Sequence, residues 1–365
     1  MMARSLRVAP EYIEKAKSAL QRNSYPSQQS FATDIGLSLS TVKSFLTGKP
    51  VDYLNFVEIT EKLGLDWQEI AYKELEAQPP KPHPTNSEAS PFITGAPITQ
   101  PRYFFGREKE LKRLFNLLKR HPLQNAAIIG KKRSGKTSLL HYLKNITTTP
   151  VEQLRPAQKS SWLPHPENYC WIFVDLQDAR MQSREGLLKY ILDSLKMQVP
   201  TPCDLDRFMQ VVSDNLHFPT VILLDEISIG LQRCPELDDR FWESLRSLAT
   251  NHTGGNLAFV LATPESPMEM AHNTGHSSPF FNIFGYTAHL GALTETEARE
   301  LIASSPIPFT DEDVEWILTE SRCWPLLLQI LCRERLFNLE EGENDDNWRE
   351  EGLRQIKPFA DLLDS

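Results

Sequence analysis

The most constraining stretch of the chain is N-A-A-I-I-G-K-K-R-S-G-K-T-S-L-L, residues 125–140. It places G-x-x-x-x-G-K-T, Gly130 to Thr137, between a short apolar run and a helix-like one. A glycine loop between a strand and a helix is the arrangement that a phosphate cradle requires. Glycines let the backbone wrap closely, its N–H groups point at phosphate oxygens, and the helix N-terminus adds positive potential. In such a loop Lys136 reaches the β- and γ-phosphates and the Thr137 hydroxyl ligates Mg²⁺. The contiguous residues Gly130, Lys131, Lys132, Arg133, Ser134, Gly135, Lys136, Thr137 and Ser138 are therefore the first candidates for nucleotide contact. The three basic side chains at 131–133 either add to the field beside the phosphates or face solvent.

Apolar strand-like runs recur at Ala126–Ile129, Trp171–Val174, Val221–Leu224 and Leu257–Leu261, with a weaker one at 286–290. Helix-like segments separate them. Alternation of this kind predicts an α/β fold with a parallel sheet covered by helices on both faces, a three-layer arrangement. Ligands of such sheets sit at the carboxyl ends of the strands. The third of these runs, T-V-I-L-L-D-E-I, ends in Asp225 and Glu226 about 90 residues after the glycine loop. Asp225 at a strand end is placed to hold Mg²⁺ through water, and Glu226 to orient or deprotonate an attacking water. The fourth run ends in Thr263, which either stands near the γ-phosphate or caps the turn before Pro264.

The segment before the loop, R-Y-F-F-G-R-E-K-E-L-K-R-L-F-N-L-L, carries Leu111, Leu114, Phe115 and Leu118 on one helical face. With the glycine loop and the D-E strand it resembles the AAA+-like ATPases of the STAND and archaeal types. That resemblance implies a P-loop NTPase core over residues 102–292, a helical lid with an acidic C-terminal segment over 293–365, and ATP and Mg²⁺ as cofactors. It implies hydrolysis of ATP to ADP and phosphate, with Lys136 and Thr263 near the reacting phosphate and Glu226 positioning the water. It also puts Phe105, Gly106 and Arg107 on the base or ribose side, unless Arg107 pairs within its own helix. In S-R-C-W-P-L-L-L-Q, Pro325 and Gln329 fit a lid segment whose proline lies against the base, but Cys323 stands where those families carry glycine. Thr294 or Thr296 is expected to cap a helix from Glu297, and Arg322 and Arg333 are candidates for a second sensor.

Residues 1–77 read as short helices, with Phe31, Ala32 and Ile35 before Gly36 and Leu39, Val42 and Phe45 after it. A small residue, a glycine turn and Val42 at the crossing angle resemble the helix-turn-helix of the Cro and phage-repressor family. The second helix, capped by Ser38, would face outward with Ser40, Thr41, Lys43 and Ser44, and Gln28 and Gln29 open the first. Residues 1–50 carry seven lysines and arginines against three acids, whereas 51–77 carry two against seven. Duplex DNA, a partner protein and a purely structural cap all remain open for residues 8–76. A linker over 78–101, with seven prolines, separates this all-α domain from the core. Its end (Phe92, Ile93, Ile98) is apolar enough to lie against the core domain.

The net charge of −9 leaves no overall basic footprint for nucleic acid. Five scattered cysteines without a C-x-x-C pair point to free thiols in a reducing compartment. With neither a membrane-length apolar run nor a signal-type N-terminus, the expectation is a cytoplasmic protein. No repeat of 20–50 residues is present. The sequence thus predicts an ATP-dependent switch whose nucleotide state controls homo-oligomerisation or engagement of a partner. The alternative is a DNA-binding regulator whose nucleotide site hydrolyses weakly. The polar stretch 146–169 is expected to be an insertion that forms a partner surface, and the acidic stretch 339–352 a solvated one.

Overall fold

The computed structural model describes residues 5–9, 12–23, 25, 27–35, 37–65, 70–71, 90–156, 158–342 and 346–363. Gly36, expected as the turn between two helices, lies outside them, as does the first half of the proline-rich stretch, 78–89. The chain divides into two compact units, Met1–Ser87 and Glu88–Ser365.

In the first unit β1 (Ser5–Leu6) pairs antiparallel with β2 (Val51–Asp52), a short ladder added to the expected helices. Those are α1 (Ile13–Arg22), α2 (Gln28–Asp34), α3 (Leu39–Leu46) and α4 (Tyr53–Lys62). Side-chain oxygens of Ser27 and Ser38 accept N–H bonds from the first turns of α2 and α3, so both helix starts are fixed locally. Phe31, Ala32, Val42, Phe45, Phe56 and Ile59 are fully buried. The Phe45 and Phe56 rings meet at 5.1 Å.

The second unit is built on a five-stranded parallel sheet. Its members are β3 (Ala126–Ile129), β4 (Cys170–Asp175), β5 (Thr220–Asp225), β6 (Leu257–Thr263) and β7 (Tyr286–His289), in the order β4-β5-β6-β3-β7. Alternate residues serve opposite faces. Ile128, Val221 and Leu223 pack with α5 (Glu108–Leu118) and α6 (Lys136–Asn145). Ala127, Ile222 and Leu224 pack with α7 (Arg184–Ser194), α8 (Leu205–Asn215), α9 (Ile227–Arg233), α10 (Asp239–Ser247) and α11 (Pro267–Asn273). Every residue of β3, β5 and β6 is buried, which explains their continuous apolar sequences.

The lid comprises α12 (Glu295–Ile302), α13 (Asp311–Ser321), α14 (Pro325–Glu340) and α15 (Asn347–Ile356), followed by a 3₁₀ turn, Lys357–Leu362. The structure corrects one expectation here. The acidic stretch is not wholly solvated, because α15 packs on α14. Trp348 and Ile356 are buried, and a Cβ on Gly352 would approach Leu331 Cδ2 to 2.8 Å. The glutamates occupy the outer side of a helix whose inner side is apolar. Asp313 is buried in the lid with Arg335 Nε at 2.9 Å and Arg349 Nη2 at 3.2 Å, so its charge is paired. Among the described residues no helix is long and apolar enough to cross a membrane.

Candidate functional site

The glycine loop leaves β3 at the sheet interior, between β6 and β7, and ends where α6 begins. Gly130 donates its N–H to the Thr263 carbonyl at 3.2 Å. A Cβ there would lie 2.6 Å from Ser134 Oγ and 2.7 Å from the Leu290 carbonyl, so only glycine closes this turn. Gly135, with φ 96°, turns the chain into the helix. Helix geometry leaves the N–H groups of Lys136, Thr137 and Ser138 without intrahelical acceptors. The Ser134 hydroxyl is buried without a partner. Lys136 Nζ donates to the carbonyls of Gly130 (2.8 Å) and Lys131 (3.0 Å). Burial lowers its pKa, against the opposing attraction of Glu226 and Asp225. The loop is therefore a concave surface of donors around one partly desolvated ammonium, the electrostatics that a polyphosphate requires.

Asp225 ends β5, is buried, and stands beside the loop. Burial pushes its carboxyl up to about 6; a hydrogen bond from the Thr137 side chain opposes that shift and the Glu226 charge adds to it. A hydroxyl and a carboxylate already in contact form a hard oxygen pair of the kind Mg²⁺ uses when phosphates and water complete its shell. Glu226 follows in the left-handed region at φ 52° and lines the cavity above the loop. A non-glycine residue in that region is held there at a cost of about 1–3 kcal/mol, which the surrounding fold supplies.

From the loop a cavity of ≈ 340 Å³ runs under the lid. Its far end is apolar, with Ile98, Phe105, Leu293, Leu301, Pro325 and Leu326 in its wall. Four distant segments meet there. The segment after residue 90 is tied to both sides: Ile93 donates its N–H to Gln329 Oε1 at 2.9 Å and Ile98 its N–H to Ser138 Oγ at 3.0 Å. Phe92 is buried in the lid and stacks on Phe309 at 6.1 Å. That segment also lines the cavity, a role sequence reasoning missed. Its signal was the apolar residues spaced among the prolines.

Several expected residues are placed differently. Arg107 lines the cavity, but its guanidinium donates to the carbonyls of Ala292 (3.2 Å) and Gly291, and its own N–H bonds Glu297 Oε1 at 2.7 Å. It thus joins the start of α5 to the strand–lid junction instead of pairing within its helix. Glu297 also accepts the Thr294 N–H and donates its own N–H to Thr294 Oγ1, a capping box in which Thr294 caps α12, which starts at Glu295. Gly106 is needed beneath it, since a Cβ would strike the Glu297 side chain at 2.8 Å. Thr263 is buried at the end of β6, but its hydroxyl lies 2.9 Å from the Glu265 carbonyl and 3.3 Å from Met270 Sδ. It is committed to its own turn and does not line the cavity.

In the loop, Lys132 and Arg133 line the cavity. Lys131 does not; its Nζ donates to the Asp361 carbonyl at 3.0 Å, and Arg133 lies over the Phe359 ring at 4.6 Å. Arg322 bonds the Leu363 carbonyl, and Arg333 bonds Thr94 Oγ1 and Glu334, so neither lines the cavity. In the first unit Gln29, Ser40 and Lys43 are exposed, and Gln28, Thr41 and Ser44 half-buried. Ser38 Oγ contacts Ser40 Oγ at 2.7 Å and Thr41 Oγ1 at 2.8 Å, a hydroxyl cluster at the start of α3.

No protein-family model and no curated protein sequence matches the chain. Solved structures do. The Aeropyrum pernix ORC2 protein in ADPNP–ADP complexes superimposes with a TM-score of 0.54 at 14% identity, over 73% of this chain and 71% of that one. A Walker-type ATPase of Pyrococcus abyssi gives 0.51 at 17% identity, over 74% and 77%. Likeness at this level concerns the fold, which is that of a P-loop NTPase.

Proposed function

We propose that residues 88–365 bind ATP with Mg²⁺ and hydrolyse it, and that the nucleotide state controls assembly with further copies or engagement of a partner. The observation that carries this reading is one cavity with a donor-lined, lysine-bearing loop at one end, an apolar pocket at the other, and Asp225–Glu226 beside the loop. A triphosphate fits the first end and a purine the second. Lys136 exchanges its loop carbonyls for phosphate oxygens. Thr137 and Asp225 hold the cation, which neutralises charge on the phosphates when bound. Glu226 orients the attacking water. Thr263 is given no part in the reaction, since it does not line the cavity.

Glu226→Gln is the test. ATP should remain bound while turnover falls by about 100-fold or more, the usual contribution of a positioned general base. Light scattering after size exclusion should show a larger species for this variant with ATP than without it. Turnover equal to wild type would remove Glu226 from the mechanism. An unchanged mass with and without ATP would remove the switch.

The second reading, duplex DNA engagement by residues 8–76, is favoured by the exposure of Lys43 and Gln29 on helices whose Ala32 and Val42 are buried. It predicts salt-dependent duplex affinity that Lys43→Glu weakens by roughly tenfold. Duplex affinity unchanged by Lys43→Glu, or absent at low salt, leaves protein docking as the role of this unit.

A further inference from the structure

The stretch 146–169 lies outside the phosphate loop and the lid, yet it is bound closely to the wall of the cavity. Arg155 lies over the Phe105 ring at 4.0 Å. Its Nη1 donates to the carbonyls of Arg102 and Phe104, each at 2.7 Å. Gln158 accepts the Arg155 N–H at 3.0 Å and donates to the Pro101 carbonyl at 2.8 Å. Trp162 stacks on Phe115 of α5 at 5.1 Å and anchors the stretch to the core. The segment 101–105 is therefore clamped from outside at the carbonyls of Pro101, Arg102 and Phe104 and at the ring of Phe105. Phe104 and Phe105 form the shared wall between the nucleotide cavity and an outer groove that holds Arg155. Arg155 lines only the groove, so it touches Phe105 and not the cavity.

Phe105 is buried among lid side chains that include Leu293 and Leu301, and Arg155 covers the side of its ring turned to the outer groove. A guanidinium over one face of the ring, bonded to the carbonyls of Arg102 and Phe104 just before it, fixes the ring against its own backbone on that face. Burial lowers the Arg155 pKa, yet arginine stays charged, and its Nη1 is matched by two carbonyls.

We infer that the 146–169 stretch is a base-positioning element, in which Arg155 sets the plane of Phe105 for a purine entering the apolar end of the cavity. This rests on the ATP reading. Arg155 is a positioning residue, since it acts on the base only through Phe105. The stretch thereby gains a role in nucleotide choice, beyond that of a surface for partners.

The test compares ATP–Mg²⁺ with tripolyphosphate–Mg²⁺ on the full chain by titration calorimetry. Tripolyphosphate engages the loop but has no base. Arg155→Ala should weaken ATP by roughly tenfold, the scale of a desolvated cation–ring contact, and leave tripolyphosphate within twofold. Arg155→Lys, which keeps a cation over the ring but cannot make the planar fork, should recover part of the loss and guards against a collapsed variant. In a Phe105→Ala background, Arg155→Ala should cost nothing further for ATP. Equal weakening of both ligands by Arg155→Ala and Arg155→Lys would mark a structural clamp only and overturn the inference, as would no weakening of ATP. Wild type binding ATP no better than tripolyphosphate would overturn it while sparing the phosphate loop. Wild type binding neither would bring down the ATP reading itself.

Discussion

At the phosphate end of the cavity, eight consecutive residues, Gly130–Thr137, supply the turn, the open amides and the ammonium. At the base end, segments around Ile98, Phe105, Leu293 and Pro325 contribute single side chains from across the unit. The first end is polar and made by local backbone conformation; a Cβ on Gly130 alone would break it. The second is apolar and exists only once the lid, the segment after residue 90 and the start of α5 have packed together. One end can be specified by a motif. The other is specified by the fold, and its strength is spread over many weak contacts.

That contrast gives the largest expected effect. Lys136→Ala removes the partly buried ammonium at the end of the loop and should lower ATP affinity at least ~100-fold, because charge-assisted bonds in a partly desolvated site are not replaced by water. Leu293→Ala should cost only about tenfold, since shortening one apolar wall residue forfeits roughly 1–3 kcal/mol. Calorimetry on both variants decides it. Comparable losses would mean that affinity is distributed evenly along the cavity; an Lys136→Ala protein within tenfold of wild type would remove the loop from the binding site.

The same contrast explains what was legible in the sequence. The loop, the Asp225–Glu226 strand end and the five strands were readable because each depends on neighbours in sequence. The Thr294 cap of α12 was readable for the same reason. The lining role of Ile93–Ile98 and the carbonyl partners of Arg107 were not, because they depend on which segments the lid brings together. Thr263 shows the limit of a strand-end pattern: position at the end of β6 does not fix where a hydroxyl points, and Glu265 captured it. Cys323 shows another. It stands where the resembled families carry glycine, yet keeps a glycine-like φ of 58°, so the turn survives without the residue that signals it. In α15 the acidic residues concealed Trp348 and Ile356, whose burial needs a partner helix.

A smaller effect sharpens the cost side of the phosphate end. Asp225 titrates near 6 in the fold against 3.8 in a free chain, chiefly because it is buried. Between those values the folded state binds more protons than the unfolded one. Nucleotide-free stability must therefore fall as pH rises from about 4 to about 6 and then carry the full penalty, on the order of 2–3 kcal/mol at neutral pH. Asp225→Asn removes the charge and should make the nucleotide-free protein more stable at pH 7.5 by about 1–3 kcal/mol, less what the Thr137 bond contributed. Its slope of stability against pH over that window should flatten correspondingly. Urea unfolding from pH 4.5 to 7.5 measures both. A variant less stable than wild type at pH 7.5 would mean that the Thr137 contact outweighs desolvation, and that this end of the cavity is held together by its acid. Greater stability would instead mark Asp225 as a residue kept at the expense of the fold for the cation that neutralises it.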